Sequence, residues 1–203
     1  MAPEDSQTAI SAFSAPSSEL TGLVQAVESI LREYYHREPR FPLNPEDEDV
    51  PRLCGYRSEF GGNFAQLEDR IGNKLADTAY SPHSDYTITL DELSEIINET
   101  NYSLPLVELH PNYFDKAEYM VQPGQFMKNE TPFIVPVSVE EEQVLYWDPL
   151  ADFYFGGEGD TQERTLSDTT FLSLWSKASK MNWTFWIARG EQSTLSGFQA
   201  VDT

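Results

Sequence analysis

The chain is short of positive charge, of thiols and of long apolar runs. Thirteen Lys and Arg stand against thirty-four Asp and Glu, a formal net charge of -21 over 203 residues. Nucleic-acid backbones and anionic lipid are held mainly by Lys and Arg. Neither direct nucleic-acid binding nor membrane attachment is expected. The single cysteine, Cys54, excludes an internal disulfide. His36, His83 and His110 share no metal-ligand spacing, so no metal site is expected. No run approaches the roughly 18 apolar residues of a membrane span. The opening Met1-Ala-Pro-Glu-Asp-Ser6 has no basic and no apolar stretch, so a cytoplasmic location is expected. Asn98, Asn101, Asn129 and Asn182 begin Asn-x-Ser/Thr sequons, which without an export signal read as by-products of a Ser/Thr-rich composition. No cofactor is expected. Gly61-Gly62 and Gly156-Gly157-Glu158-Gly159 lack the Lys-Ser/Thr that follows a phosphate cradle. The acidic stretch Asn44 to Asp49 lacks the Gly and distal Glu of a calcium loop.

What remains is enough to fold. Hydrophobic residues make up 39% and aromatics 13%, whereas disordered acidic chains lack both. The negative charge is scattered: Glu46 to Asp49, Glu140 to Glu142, Asp152 to Asp168 and every predicted helix carry it. Scatter, with more Arg than Lys, favours a salt-adapted, solvated surface over one acidic docking face.

Residues 1–16 read as a flexible acidic tail, 17–190 as one domain and 191–203 as a second flexible tail. Leu20, Leu23, Val24, Val27, Ile30, Leu31, Tyr34 and Tyr35 recur at helical steps, with Ser17 or Ser18 as cap. Residues 37–62, rich in Pro and Gly, read as an exposed insertion because Pro39, Pro42, Pro45 and Pro51 oppose any regular element. A second helix is expected from about Asn63, carrying Phe64, Leu67, Ile71 and Leu75 on one stripe. Residues 78–88 read as a loop. Thr89-Leu-Asp-Glu92 spells a capping box for a third helix over Leu93, Ile96 and Ile97. Strands are expected at Leu104 to Leu109, Phe133 to Val139, Val144 to Trp147, Phe153 to Phe155 and Trp183 to Ala188. Ser167 caps a helix with Phe171, Leu172, Leu174, Trp175 and Ala178 inward. N-terminal helices packed on a mostly antiparallel sheet make an α+β fold.

The second half carries a resemblance. Thr131-Pro-Phe-Ile-Val-Pro-Val137 is followed by Val144-Leu-Tyr-Trp-Asp148-Pro149. Then come Thr165-Leu-Ser167, Phe171-Leu-Ser-Leu-Trp175 and Trp183-Thr-Phe-Trp-Ile187. This succession resembles the closing half of papain-like cysteine peptidases of the bacteriocin-processing, C39-like type. The first helix, ending Ile30-Leu31-Arg32-Glu33-Tyr34-Tyr35, is similar to that family's nucleophile helix. The resemblance implies a papain-like fold with Asp148 at the triad acid. The family's Cys has no counterpart in Ser17-Ser-Glu-Leu-Thr-Gly22, and residues 131–147 hold no His. An acid without base or nucleophile cannot run acyl transfer.

The resulting expectation is a non-catalytic domain that binds a protein or peptide, with a basic partner favoured if the acidic surface takes part. Tyr146, Asp148 and the Phe153-Tyr154-Phe155 cluster are its candidate binding residues. Two alternatives come from other classes. One is an active cysteine peptidase using Cys54, His110 and Asp148, which keep the family's order along the chain. The other is an acidic mimic of nucleic acid that occupies a basic protein.

Overall fold

The computed structural model describes residues 22–38, 40–55, 66–98, 103–116, 131–149 and 164–190. Within them six strands form one sheet: β1 (Tyr80–Asp85), β2 (Leu106–Glu108), β3 (Phe133–Val139), β4 (Gln143–Trp147), β5 (Arg164–Ser167) and β6 (Thr184–Arg189). Their spatial order is β1-β6-β2-β3-β4-β5, and every neighbouring pair is antiparallel. The helices are α1 (Gly22–Arg37), α2 (Val50–Leu53), α3 (Leu67–Leu75), α4 (Leu90–Asn98), α5 (Tyr113–Lys116) and α6 (Asp168–Trp175). The architecture is α+β.

Both faces of the sheet are covered, rather than one. Side chains alternate across a strand. Leu106, Phe133, Val135, Trp147, Phe185 and Ile187 enter one core with α1, α2 and α3. Val107, Ile134, Val144, Tyr146 and Leu166 enter a second core with α4, Tyr113 and α6. Strict alternation would put Val137 and Val139 on one face. A register irregularity between Pro136 and Ser138 adds a residue, and Val139 packs on the second core while Val137 packs on the first.

Local chemistry explains most elements. α1 buries Leu23, Val24, Ala26, Val27, Ile30, Leu31 and Tyr34, and Glu28–Arg32 and Glu33–Arg37 add i,i+4 ion pairs at 2.7 and 2.5 Å. Tyr35, expected on that inner face, is exposed instead; the stripe ends at Tyr34. The proposed cap at Ser17 or Ser18 lies outside the described residues. The capping box holds as drawn. Glu92 accepts from the Thr89 N–H at 2.8 Å, and Thr89 Oγ1 accepts from the Glu92 N–H at 3.2 Å. Ser167 accepts from the Thr170 N–H and caps α6; Leu172, expected inward, is exposed instead.

Two expectations are corrected. The stretch 37–62 is not an exposed insertion where it is described: Phe41, Leu43, Val50, Leu53 and Cys54 are buried in the first core. Proline is tolerated because Pro51 sits in the first turn of α2, where its missing N–H costs nothing, and Asp49 caps that turn. The presumed loop at 78–88 contains β1. Its Pro82 is acceptable because β1 is an edge strand with one ladder only. Tyr80 and Ser84 anchor it by hydroxyl bonds to the Glu38 and Glu68 carboxylates. The helix expected from about Asn63 spans Leu67–Leu75 within the described residues and buries Leu67, Ile71 and Leu75 as the stripe requires, and Asn63 and Phe64 lie outside the described residues.

The registers bring the ends of β2 and β4 and the starts of β3 and β6 to one end of the sheet. Glu108 pairs with Phe133, Val135 with Trp147 and Leu106 with Phe185. His110 and Asp148 follow the strands that finish there.

Candidate functional site

Asp148 directly follows β4 and is 4% exposed. A carboxylate so buried needs hydrogen-bond donors. Tyr113 supplies one, its hydroxyl donating to Asp148 Oδ2 at 2.7 Å. The hydroxyl oxygens of Tyr113 and Tyr146 are 3.2 Å apart, and the two rings meet edge to face at 6.0 Å. Tyr113 has one hydroxyl proton. While the carboxylate takes it, the Tyr113 oxygen is left to accept from Tyr146.

A short turn delivers Tyr113. After β2, the Leu109 N–H donates to the Pro132 carbonyl and the His110 N–H to the Leu174 carbonyl. The Tyr113 N–H then closes on the His110 carbonyl at 2.8 Å. Glu108, buried at the end of β2, fixes the neighbouring turn after α6. Its carboxylate accepts from Ser179 Oγ at 2.5 Å, from the Ser179 N–H at 3.2 Å and from the Lys180 N–H at 3.3 Å.

The electrostatics keep both phenols protonated. Burial pushes the Tyr113 hydroxyl well above the ordinary tyrosine value, and the Asp148 charge adds to it. Burial raises Tyr146 as well, opposed by the positive charge of Arg164. Arg164 stands opposite Tyr146 in the β4–β5 ladder. The result is a carboxylate held by a phenol, with a second phenol behind it. Among the described residues no thiol joins it.

The sulfur is elsewhere. Cys54 is fully buried in the core on the α1 face. Burial pushes its thiol far up from the ordinary value, and the Arg70 charge offsets this only in part. A reactive cysteine needs the reverse. His110 lies beside α6, toward the second core, and its Nδ1 accepts from the Asn112 N–H at 3.1 Å. Asp148 and His110 thus share one end of the sheet, and Cys54 does not join them. Tyr146 is 2% exposed, so neither it nor Asp148 offers a surface to a partner. Phe153, Tyr154 and Phe155 lie outside the described residues.

No protein-family model and no curated protein matches this chain. The site is read from its own geometry. Among the described residues no group of three His, Cys, Asp or Glu side chains is placed to hold a metal ion, and no helix is long and apolar enough to cross a membrane. Tyr113 and Arg164 are the site residues that sequence reasoning missed. Tyr113 had a signal: the His110-Pro111-Asn112 turn directly after an apolar run.

Proposed function

We propose that this protein is a non-catalytic domain of papain-like, C39-like fold that acts by binding a protein or peptide. One observation carries the reading. Asp148, where the resemblance puts the triad acid, takes a hydrogen bond from the Tyr113 phenol. In a thiol peptidase that acid orients the imidazole that accepts the nucleophile's proton. A phenol whose proton is held more firmly than usual cannot be that base near neutral pH. The buried, unactivated Cys54 supports the same conclusion. An antiparallel sheet between two helical layers is compatible with the proposed fold. Recognition without bond cleavage is the activity left to such a scaffold, and the scattered charge of -21 suits a salt-solvated surface.

The test is a random hexapeptide library passed over the immobilised full chain, with mass spectrometry of retained and eluted peptides. The expected result is retention of a subset, all intact. Cleavage of any peptide that is lost in Cys54→Ala overturns the reading, and so does failure to retain any sequence.

A further inference from the structure

A cleft of about 740 Å³ opens between the turn before α2, α2 itself and α3, on the face away from the Tyr113–Asp148 pair. Its volume lies in the range of sites that take drug-sized ligands. The turn contributes Asp47, Glu48 and Asp49, α2 contributes Arg52, and α3 contributes Arg70 and Lys74. Three of the chain's thirteen cationic side chains therefore gather in one place.

Their partners differ. Lys74 is neutralised by Glu48 at 2.8 Å, a pair that ties the two walls together. Arg70 bonds the Gln66 amide oxygen at 2.6 Å and reaches the Leu53 carbonyl at 3.4 Å, both uncharged acceptors. The exposed Arg52 side chain has no carboxylate partner among the described residues. Two guanidiniums without carboxylate partners are unexpected in a chain with so large an excess of acids. Asp49 is occupied in capping α2, and Asp47 accepts from the Asn44 amide.

We infer that this cleft binds the carboxyl-terminal end of a short peptide. Guanidinium forks match a carboxylate in planar, two-bond geometry. Three acids against three cations leave the cleft without net charge, so a phosphate polyanion gains little there. A ligand ending in a single carboxylate is matched there: Arg52 and Arg70, without carboxylate partners among the described residues, receive it. The volume suits several residues better than a single amino acid. This assignment rests on the peptide-binding reading and gives it a site, yet it can fail alone.

The experiment is calorimetric titration of the full chain, at one fixed ionic strength, with trialanine and with trialanine amide. Arg52→Gln is the test variant, because its side chain supports no other element. Trialanine should bind saturably, the amide about tenfold more weakly, and Arg52→Gln should lose the same factor with unchanged circular dichroism. In Arg52→Gln, amidation should cost much less. Absence of saturable trialanine binding overturns the proposal. Equal binding of acid and amide also overturns it, as does undiminished binding by Arg52→Gln. Hexapeptides retained equally well with free and amidated ends would remove the cleft while leaving peptide binding intact.

Discussion

The hydroxyl of Tyr34 donates to the carbonyl of Ile187 at 2.9 Å, although 153 positions separate them in sequence. The same oxygen accepts the Leu104 N–H at 2.8 Å. One buried phenol thus ties α1 to the end of β6 and to the segment entering β2.

Tyr34→Phe should therefore cost stability without changing the fold. It leaves a buried N–H without its acceptor and weakens the bonding of a buried carbonyl, which Ser103 Oγ approaches only at 3.4 Å. The expected loss is about 1–3 kcal/mol. For a chain of this size that is a fall of about 2–4 °C in melting temperature per kcal/mol. Thermal and urea denaturation measure it, and an unchanged midpoint would refute the role given to the hydroxyl.

Alkaline titration should find four tyrosines that ionise late. Burial pushes Tyr34 up to about 12, and burial with the Glu38 bond does the same for Tyr80. Tyr113 and Tyr146 are raised too. An unfolded tyrosine ionises near 10. Between about 10 and 12 the unfolded chain loses phenolic protons that the folded chain keeps, so stability falls as pH rises through that window. Absorbance at the phenolate band should show these four ionising later than tyrosine in the unfolded chain. Ten tyrosines titrating together in the folded protein would contradict the burial described.

Tyr113 and Asp148 should be energetically coupled. Tyr113→Phe removes a donor from a buried carboxylate, and a bond to a charged group is worth about 1.5–3 kcal/mol. In a cycle with Asp148→Asn the two losses should not add, with a coupling of about 1 kcal/mol or more. Urea titration of the four proteins gives that number. Strict additivity would mean that the 2.7 Å contact carries no stability.

Salt should stabilise the fold. With a formal charge of -21 the folded chain repels itself. Screening shortens the Debye length from about 10 Å at 0.1 M to about 3 Å at 1 M. The melting temperature should rise by several degrees over that interval in potassium chloride. A flat or falling curve would remove salt adaptation as the meaning of the acidity.

Much of the fold was legible because its cause is local. The Thr89–Glu92 box, the Ser167 cap and the inward stripe of α1 each depend on residues a turn apart. β3 and β4 were legible because their β-branched and aromatic runs leave little alternative. β1 was not: Tyr80-Ser-Pro-His-Ser-Asp85 has turn chemistry, and only pairing with β6 and packing against α3 make it a strand. The proline-rich stretch was misread for a similar reason. Phe41 and Leu43 are isolated apolar residues in the sequence, and the core that receives them comes from distant elements.

At the candidate site, Asp148 could be singled out from an Asp-Pro pair after an apolar strand. Its partner Tyr113 lies 35 positions earlier and belongs to no shared motif. Composition and short-range spacing determined the charge, the α+β class and most helix and strand identities, since propensity, caps and periodicity act over a few residues. Tertiary structure alone decided which face each helix covers, that the sulfur and the imidazole stay apart, and that a phenol meets the carboxylate. Those outcomes depend on long-range register and packing, in which a contact's partner is set by the whole sheet rather than by chain neighbours.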